Sequence, residues 1–287
     1  MKRLLLAGIL AAVMLVPASS ASASLTGEYA RFSKCPYTSA SVEFCIYAET
    51  TSGSFVLGKK SVPLVKPVIL QGGLEGAGGD FNNSFSLVGA TDGNTLSKSA
   101  QPVPGGLLGV TAPTWWPVIL QNLFNETINN GFTGVTATVE IAGPASGVKV
   151  NLARALEQNG AAFTLPVKVK LDNPFLGGSC YIGSNSNPVK LNLTTGTTSP
   201  PLPNKPITGS TGELSEPAEA MLALKGNRLV DNSFSAPGAN GCGGFLFSWA
   251  VDPFVNSIVG VPSAAGTNTA ILEGTTYLVN APYLKTL

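Results

Sequence analysis

The chain has 287 residues, 44% of them apolar and 11% charged, with 17 basic side chains against 16 acidic ones and no histidine. Such apolar content builds a large core and excludes disorder, and the length fits one large or two moderate domains. Scattered Lys and Arg at near-zero net charge leave no electrostatic footprint for nucleic acid. The missing imidazole removes Ser-His-Asp triads, Cys-His pairs and His-ligated zinc.

The N-terminus reads as a secretory signal peptide over residues 1–23. Lys2 and Arg3 form its positive end, Leu4 to Val16 its apolar run, and Ala21-Ser22-Ala23 a small-x-small cleavage site. The apolar run is short for a lasting membrane span, and no second long apolar stretch follows. The expectation is an exported, extracellular protein, retained at the cell wall or released, with no membrane span after cleavage. Four cysteines, Cys35, Cys45, Cys180 and Cys242, then read as two disulfides. Four cysteines allow three connectivities; Cys35–Cys45 with Cys180–Cys242 keeps each bridge within one half of the chain. Zinc would need close Cys-x-x-Cys spacing, which is absent.

Further along, short alternating stretches between Gly, Pro, Asn and Ser read as strands: 54–60, 66–70, 83–90, 133–143, 163–171 and 189–195. In 135–141, Val135, Ala137, Val139 and Ile141 should face one way and Thr136, Thr138 and Glu140 the other. Prolines 63, 67, 166 and 206 fall where a strand start or edge tolerates a missing N–H. Three helices are predicted. The first, opening at Pro117, has an apolar stripe of Leu120, Leu123, Phe124 and Ile128 opposite Gln121, Asn122, Asn125, Glu126 and Asn129, with Asn130-Gly131 as its stop. The second spans 151–160 with Asn151 as N-cap, and the third spans 252–260 with Asp252 as cap.

Landmarks recur in the same order in the two halves. Cys45, KPVI (66–69), NNSFS (82–86), GGLLG (105–109), Trp116, a helix and a threonine-rich strand match Cys180, KPIT (205–208), DNSFS (231–235), GGFLF (243–247), Trp249, a helix and a threonine-rich strand. Shared order points to a duplicated unit, with an inserted surface connection in 212–227 of the second half. Phe85 and Phe234 would then fill equivalent cores with serines turned outward. The fold expected is mainly β: antiparallel, sandwich-like sheets as two related units in tandem, each with a short helix, or one sandwich whose halves interleave. The segments are 24–146, a helical connector over 147–162, and 163–287.

The runs PVKVKLDNPFLGGSCYIGS (166–184), LNLTTGTTSPP (191–201) and LVDNSFSAPGANGCGG (229–244) resemble a family of uncharacterised secreted proteins of actinobacteria. The resemblance covers most of the chain after the leader. It implies an exported, disulfide-containing protein and supplies no catalytic residues to carry over.

Little chemistry survives without histidine. A Ser-Lys pair at Ser146 and Lys149 lies in a Gly-Pro-rich connector, and Glu140 and Glu273 sit at comparable places in the two closing strands as exposed sheet charges. The glycine-rich 72–80 has no helix after it to complete a phosphate cradle, and 91–95 reads as a hairpin turn. Trp115, with Tyr37 and Tyr47, forms a candidate binding surface, since flat rings on a β scaffold stack on sugar faces. Trp116 and Trp249 read as anchors of helix to sheet. No cofactor or metal is called for. The function expected is a secreted or envelope-associated, non-enzymatic protein with a structural or adhesive role. The alternatives are an extracellular binding module for glycan, lipid or protein and a carboxylate-based glycoside hydrolase. Expected partners are cell-wall glycan or another envelope protein.

Overall fold

Strict alternation is the signature of β8 (Phe163–Asp172), whose side chains are buried and half-buried in turn over all ten residues. The computed structural model describes residues 25–287 except 79 and 130–132, so the predicted signal peptide and the predicted stop at 130–131 lie outside the described residues. Among the described residues fourteen strands, all paired antiparallel, make one large sheet, and the protein is mainly β and sandwich-like. The strands before β8 are β1 (Val42–Leu57), β2 (Lys60–Pro63), β3 (Val68–Glu75), β4 (Phe85–Gly89), β5 (Gln101–Pro102), β6 (Thr136–Ile141) and β7 (Lys149–Val150). After it come β9 (Tyr181–Ile182), β10 (Val189–Leu193), β11 (Glu213–Ser215), β12 (Met221–Asp231), β13 (Ala239–Asn240) and β14 (Thr269–Asn280).

The sheet runs β11-β12-β14-β1-β3-β4-β7-β8-β6-β5, with β10 and β9 on the other edge of β8. A bridge between Thr194 and Val230 brings the end of β10 back to β12. Strands from 24–146 and from 163–287 therefore alternate in one sheet, and 147–162 carries β7 and α2 (Leu152–Glu157). Asn151 caps α2 as expected, its Oδ1 accepting from the Arg154 N–H at 2.9 Å. Pro166 lies inside β8, at the point where pairing with β7 has ended and pairing with β6 has not begun.

Two stretches run differently from the expectation. The stretch 54–60 is the tail of the 16-residue β1 plus the turn into β2. The supposed insertion at 212–227 supplies β11 and most of β12, paired with β14 along Met221–Asp231. Glu, Ala, Met, Leu and Lys give it a helical composition, but a ladder on each side overrides that preference. Asn130 and Gly131 aside, the predicted turn at 91–95 is present, with the Asn94 N–H donating to Asp92 Oδ1 at 2.9 Å.

One level of the sheet is irregular in several strands at once. The β1–β14 register shifts between Thr50 and Ser52, the β12–β14 register shifts between Lys225 and Asn227, and both shifts face Gly274. The outer partner of β1 changes there too, from β3 (through Thr50) to β2 (from Ser54). A Cβ on Gly274 would lie 1.9 Å from the Glu49 carbonyl oxygen, so only glycine fits.

The main core gathers Ile46, Leu74, Phe85, Leu87, Val167, Leu191 and Phe234 among others, and includes Cys180 and Cys242. A second cluster on the other face of β1 joins Phe32, Cys45, Met221 and Leu284, where the C-terminal α4 (Ala281–Leu284) meets the N-terminal turn through Tyr29 and Tyr283, rings 5.9 Å apart. The disulfides are Cys35–Cys45 and Cys180–Cys242.

Phe85 and Phe234 both enter the main core with their serine neighbours turned out. Their backbone settings differ: Phe85 opens β4, whereas Phe234 follows β12 in a segment without strand pairing. The preceding Asp231 is buried, its carboxylate accepting from the Asn192 N–H at 2.7 Å and the Ser233 N–H at 2.8 Å. Burial raises its pKa above the ordinary 3.8, against the pull of those two donors. The folded chain then holds this proton more tightly than the unfolded one, so the group opposes folding at neutral pH. That cost is relieved as pH falls through the folded pKa toward 3.8. Melting temperatures followed from about pH 7 to about pH 4 should show wild type gaining on Asp231→Asn as the solution is acidified. A constant offset between the two would refute this.

Candidate binding surface

Helix α1 (Val118–Asn129) follows Pro117, whose fixed φ suits a first helical position. Its orientation departs from the expected one at four positions, Leu120, Gln121, Leu123 and Asn125, while Phe124 faces inward and Asn122 and Glu126 outward as expected. Gln121, Phe124 and Asn125 turn toward the body, while Val118, Ile119, Leu120 and Leu123 are exposed; the side chains of Ile128 and Asn129 lie outside the described residues. Gln121 Nε2 donates to the carbonyls of Thr114 (3.1 Å) and Trp116 (2.6 Å), and Asn125 Oδ1 accepts from the Ala112 N–H at 2.8 Å. These amides tie down the loop before the helix, which rotates the leucines outward.

Helix α3 (Gly244–Val259) starts eight residues before the expected Asp252 and carries Pro253 inside it. Asp252 does not cap it. Its carboxylate accepts from the N–H of Cys242 at 2.7 Å and of Gly241 at 3.2 Å, and Asn256 Oδ1 accepts from the Ala239 N–H at 2.6 Å. With Val251 and Val255 these make the inner face. The outer face is Phe245 (97% exposed), Leu246, Phe247, Trp249 (79%), Ala250 and Phe254. Trp249 is therefore inside the helix and exposed, and does not anchor it to the sheet. Trp116 is half-buried, its ring edge-on to Phe124 at 5.6 Å.

The two helices meet through the short turn Gly106–Leu108. It packs on α1, and Gly109 just after it lies against α3: a Cβ there would fall 2.9 Å from Ile258 Cγ2 and 3.0 Å from Lys60 Nζ. Lys60 donates to the Gly109 carbonyl at 3.1 Å, and burial lowers its pKa. Leu108 and Val110 of this turn are exposed as well. Exposed apolar side chains thus stand on α1, on the turn and on α3. Large exposed apolar side chains gathered in one region of a protein mark interaction sites.

Trp115, 81% exposed, stands edge-on to Trp116 at 6.0 Å and belongs to this surface. Tyr37 and Tyr47 belong elsewhere: both pack against the second cluster, Tyr47 facing Tyr277 at 6.4 Å. Burial raises the pKa of Tyr47, and the nearby Glu49 adds to the effect. Sequence reasoning found Trp115 and missed Phe245, Leu246 and Trp249. The signal was present in GFLFSWAV, eight residues with no charge at the head of a helix.

The groups considered for chemistry are otherwise engaged. Lys149 is exposed and pairs with Ser86 Oγ at 2.7 Å across strands, not with Ser146. Glu140 faces Lys168 at 3.7 Å and Glu273 faces Arg228 at 3.2 Å. The glycine-rich turn does form a ring of amides, but Glu43 fills it: its Oε1 accepts from Gly76, Ala77 and Gly78 at 2.8, 3.0 and 3.1 Å. A separate open cleft of about 710 Å³ is lined by polar groups including Lys168, Tyr181, Asn185, Asn187 and Asn240. No family model, curated protein or solved structure matches the chain. No helix among the described residues is long and apolar enough to cross a membrane.

Proposed function

We propose that this is an exported, envelope-associated, non-enzymatic protein that adheres through the apolar face of α1 and α3. One observation carries the reading: α3 leaves Phe245, Leu246, Phe247, Trp249 and Phe254 exposed while Asp252 and Asn256 bond inward, and α1 leaves Val118, Ile119, Leu120 and Leu123 exposed while Gln121 and Asn125 bond the preceding loop. A helix whose only duty is to cover a core shows the opposite arrangement. Burying a Phe, Leu, Ile or Trp side chain contributes about 1.5–3 kcal/mol, against an association cost of about 4–15 kcal/mol. Attachment therefore needs several of these side chains at once. The two disulfides accord with an oxidising compartment, as does the resemblance to secreted actinobacterial proteins.

The test is fractionation of producing cells into envelope and medium. Wild type is expected with the envelope. A combined Ile119→Ser, Phe245→Ser, Trp249→Ser variant should move to the medium with its melting temperature unchanged, because all three positions are exposed. Equal distribution of the two proteins would overturn the reading.

The polar cleft favours a second reading, capture of a wall saccharide. Tyr181 sits in it with Lys168 over its ring at 4.8 Å, beside three asparagines able to donate to and accept from hydroxyls. Retention on isolated wall that survives the triple substitution and is lost in Tyr181→Ala supports this reading.

A further inference from the structure

We propose that the apolar face seats in the uncharged, acyl-rich zone of a lipid layer, dipping into it without crossing; this rests on the adhesive reading above and names what the face adheres to. Two features of the surface point to lipid over a protein groove.

The first is azimuth. Successive residues of a helix point 100° apart, so Phe245, Leu246, Phe247, Trp249 and Phe254 spread over more than half the circumference of α3, and all are exposed. A protein groove covers one side of a helix, whereas a fluid wets every exposed direction.

The second is charge. Between residues 99 and 139 the single charged side chain is Glu126, and between 232 and 272 it is Asp252. Asp252 is turned inward to the amides of Gly241 and Cys242. No lysine or arginine stands on either helix; Lys59 and Lys60 lie beside the face with their ammonium groups on the Ser257 and Gly109 carbonyls, and Glu126 is exposed on α1, so the face itself is apolar with few charges at its edge.

Length fixes the mode of contact. At 12 and 16 residues, the helices measure about 18 and 24 Å, short of the ~30 Å hydrocarbon core. Trp115 and Trp249 suit the boundary zone, where an amphipathic ring keeps one edge wet.

The experiment is co-sedimentation of the folded protein with vesicles of phosphatidylcholine alone and of phosphatidylcholine mixed with phosphatidylglycerol, with tryptophan emission recorded. The protein should bind both alike, with emission shifted to the blue. Raising salt from about 0.1 to about 1 M should leave binding intact, since no ion pairs are involved. Phe245→Ser and Trp249→Ser should each lower the partition coefficient by about tenfold, without a change in melting temperature. Absence of binding, or binding confined to anionic vesicles and lost in salt, would overturn the proposal. If sedimentation velocity instead shows oligomers that the same substitutions disperse, the occupant is a second copy of the chain; lipid is then wrong while the adhesive reading stands. Failure to bind vesicles, to self-associate and to remain with the envelope would remove both.

Discussion

Replacing Asn268 with alanine should lower the unfolding free energy by about 4 kcal/mol, because buried donors and acceptors then lose partners that water cannot replace. Asn268 is fully buried just ahead of β14. Its Oδ1 accepts from the Gly58 N–H at 2.9 Å and Ser263 Oγ at 2.7 Å, and its Nδ2 donates to the carbonyls of Phe234 at 2.9 Å and Ala264 at 3.2 Å. Its own carbonyl accepts from Asn204 Nδ2 at 2.9 Å. One amide thus joins the β1–β2 turn, the segment after β12 and the approach to β14. Urea denaturation should show an earlier midpoint at unchanged slope, and a melting temperature lower by about 10 °C. A loss under about 1 kcal/mol would mean that the freed groups find solvent, contrary to their burial.

Truncation of Phe85 to alanine should cost about 3–5 kcal/mol, and truncation of Phe234 a similar amount, since each removes a large ring from a core that collapses only in part. Phe85 is edge-on to Phe44 at 5.6 Å and tilted against Phe81 at 6.4 Å, and Phe234 stacks on Phe55 at 5.7 Å. Chemical denaturation of the two single variants measures this directly. Wild-type stability in either one would show that its ring is not a core element, whatever the sequence echo suggests.

That echo illustrates how far sequence reaches here. NNSFS and DNSFS do mark two core phenylalanines, because alternation beside turn residues encodes burial. They do not mark matching strands, because strand pairing depends on distant neighbours: Phe85 meets Val150 across the ladder, and Phe234 has no such partner. The alternation of β8 and β10 was legible for the same local reason, and the disulfides from the even cysteine count and its division between the two halves. The 212–227 segment was not, since its composition favours helix and only the neighbouring β14 draws it into the sheet.

The binding surface was legible in its residues and illegible in its orientation. The spacing of Leu120 and Leu123 declares a stripe on α1, but periodicity alone does not say which side of the helix the body takes. Gln121 and Asn125 decide it by bonding the preceding loop. Trp249 was misplaced because the helix was started at Asp252, a residue whose carboxylate serves the amides ten and eleven positions before it. Glu43 in the glycine-rich turn was invisible for a like reason, being more than thirty residues from the amides it holds.

The aligned irregularities at Gly274 have a geometric consequence. A bulge bends its own strand and sharpens the local twist, and bulges stacked at one level in neighbouring strands add their bends along a single line. The line acts as a crease. It lets β1, β12 and β14 turn at the same level, so that the two ends of one long strand serve different neighbours, β3 before the crease and β2 after it. A side chain at position 274 would strike the Glu49 carbonyl and force the crease apart where it forms.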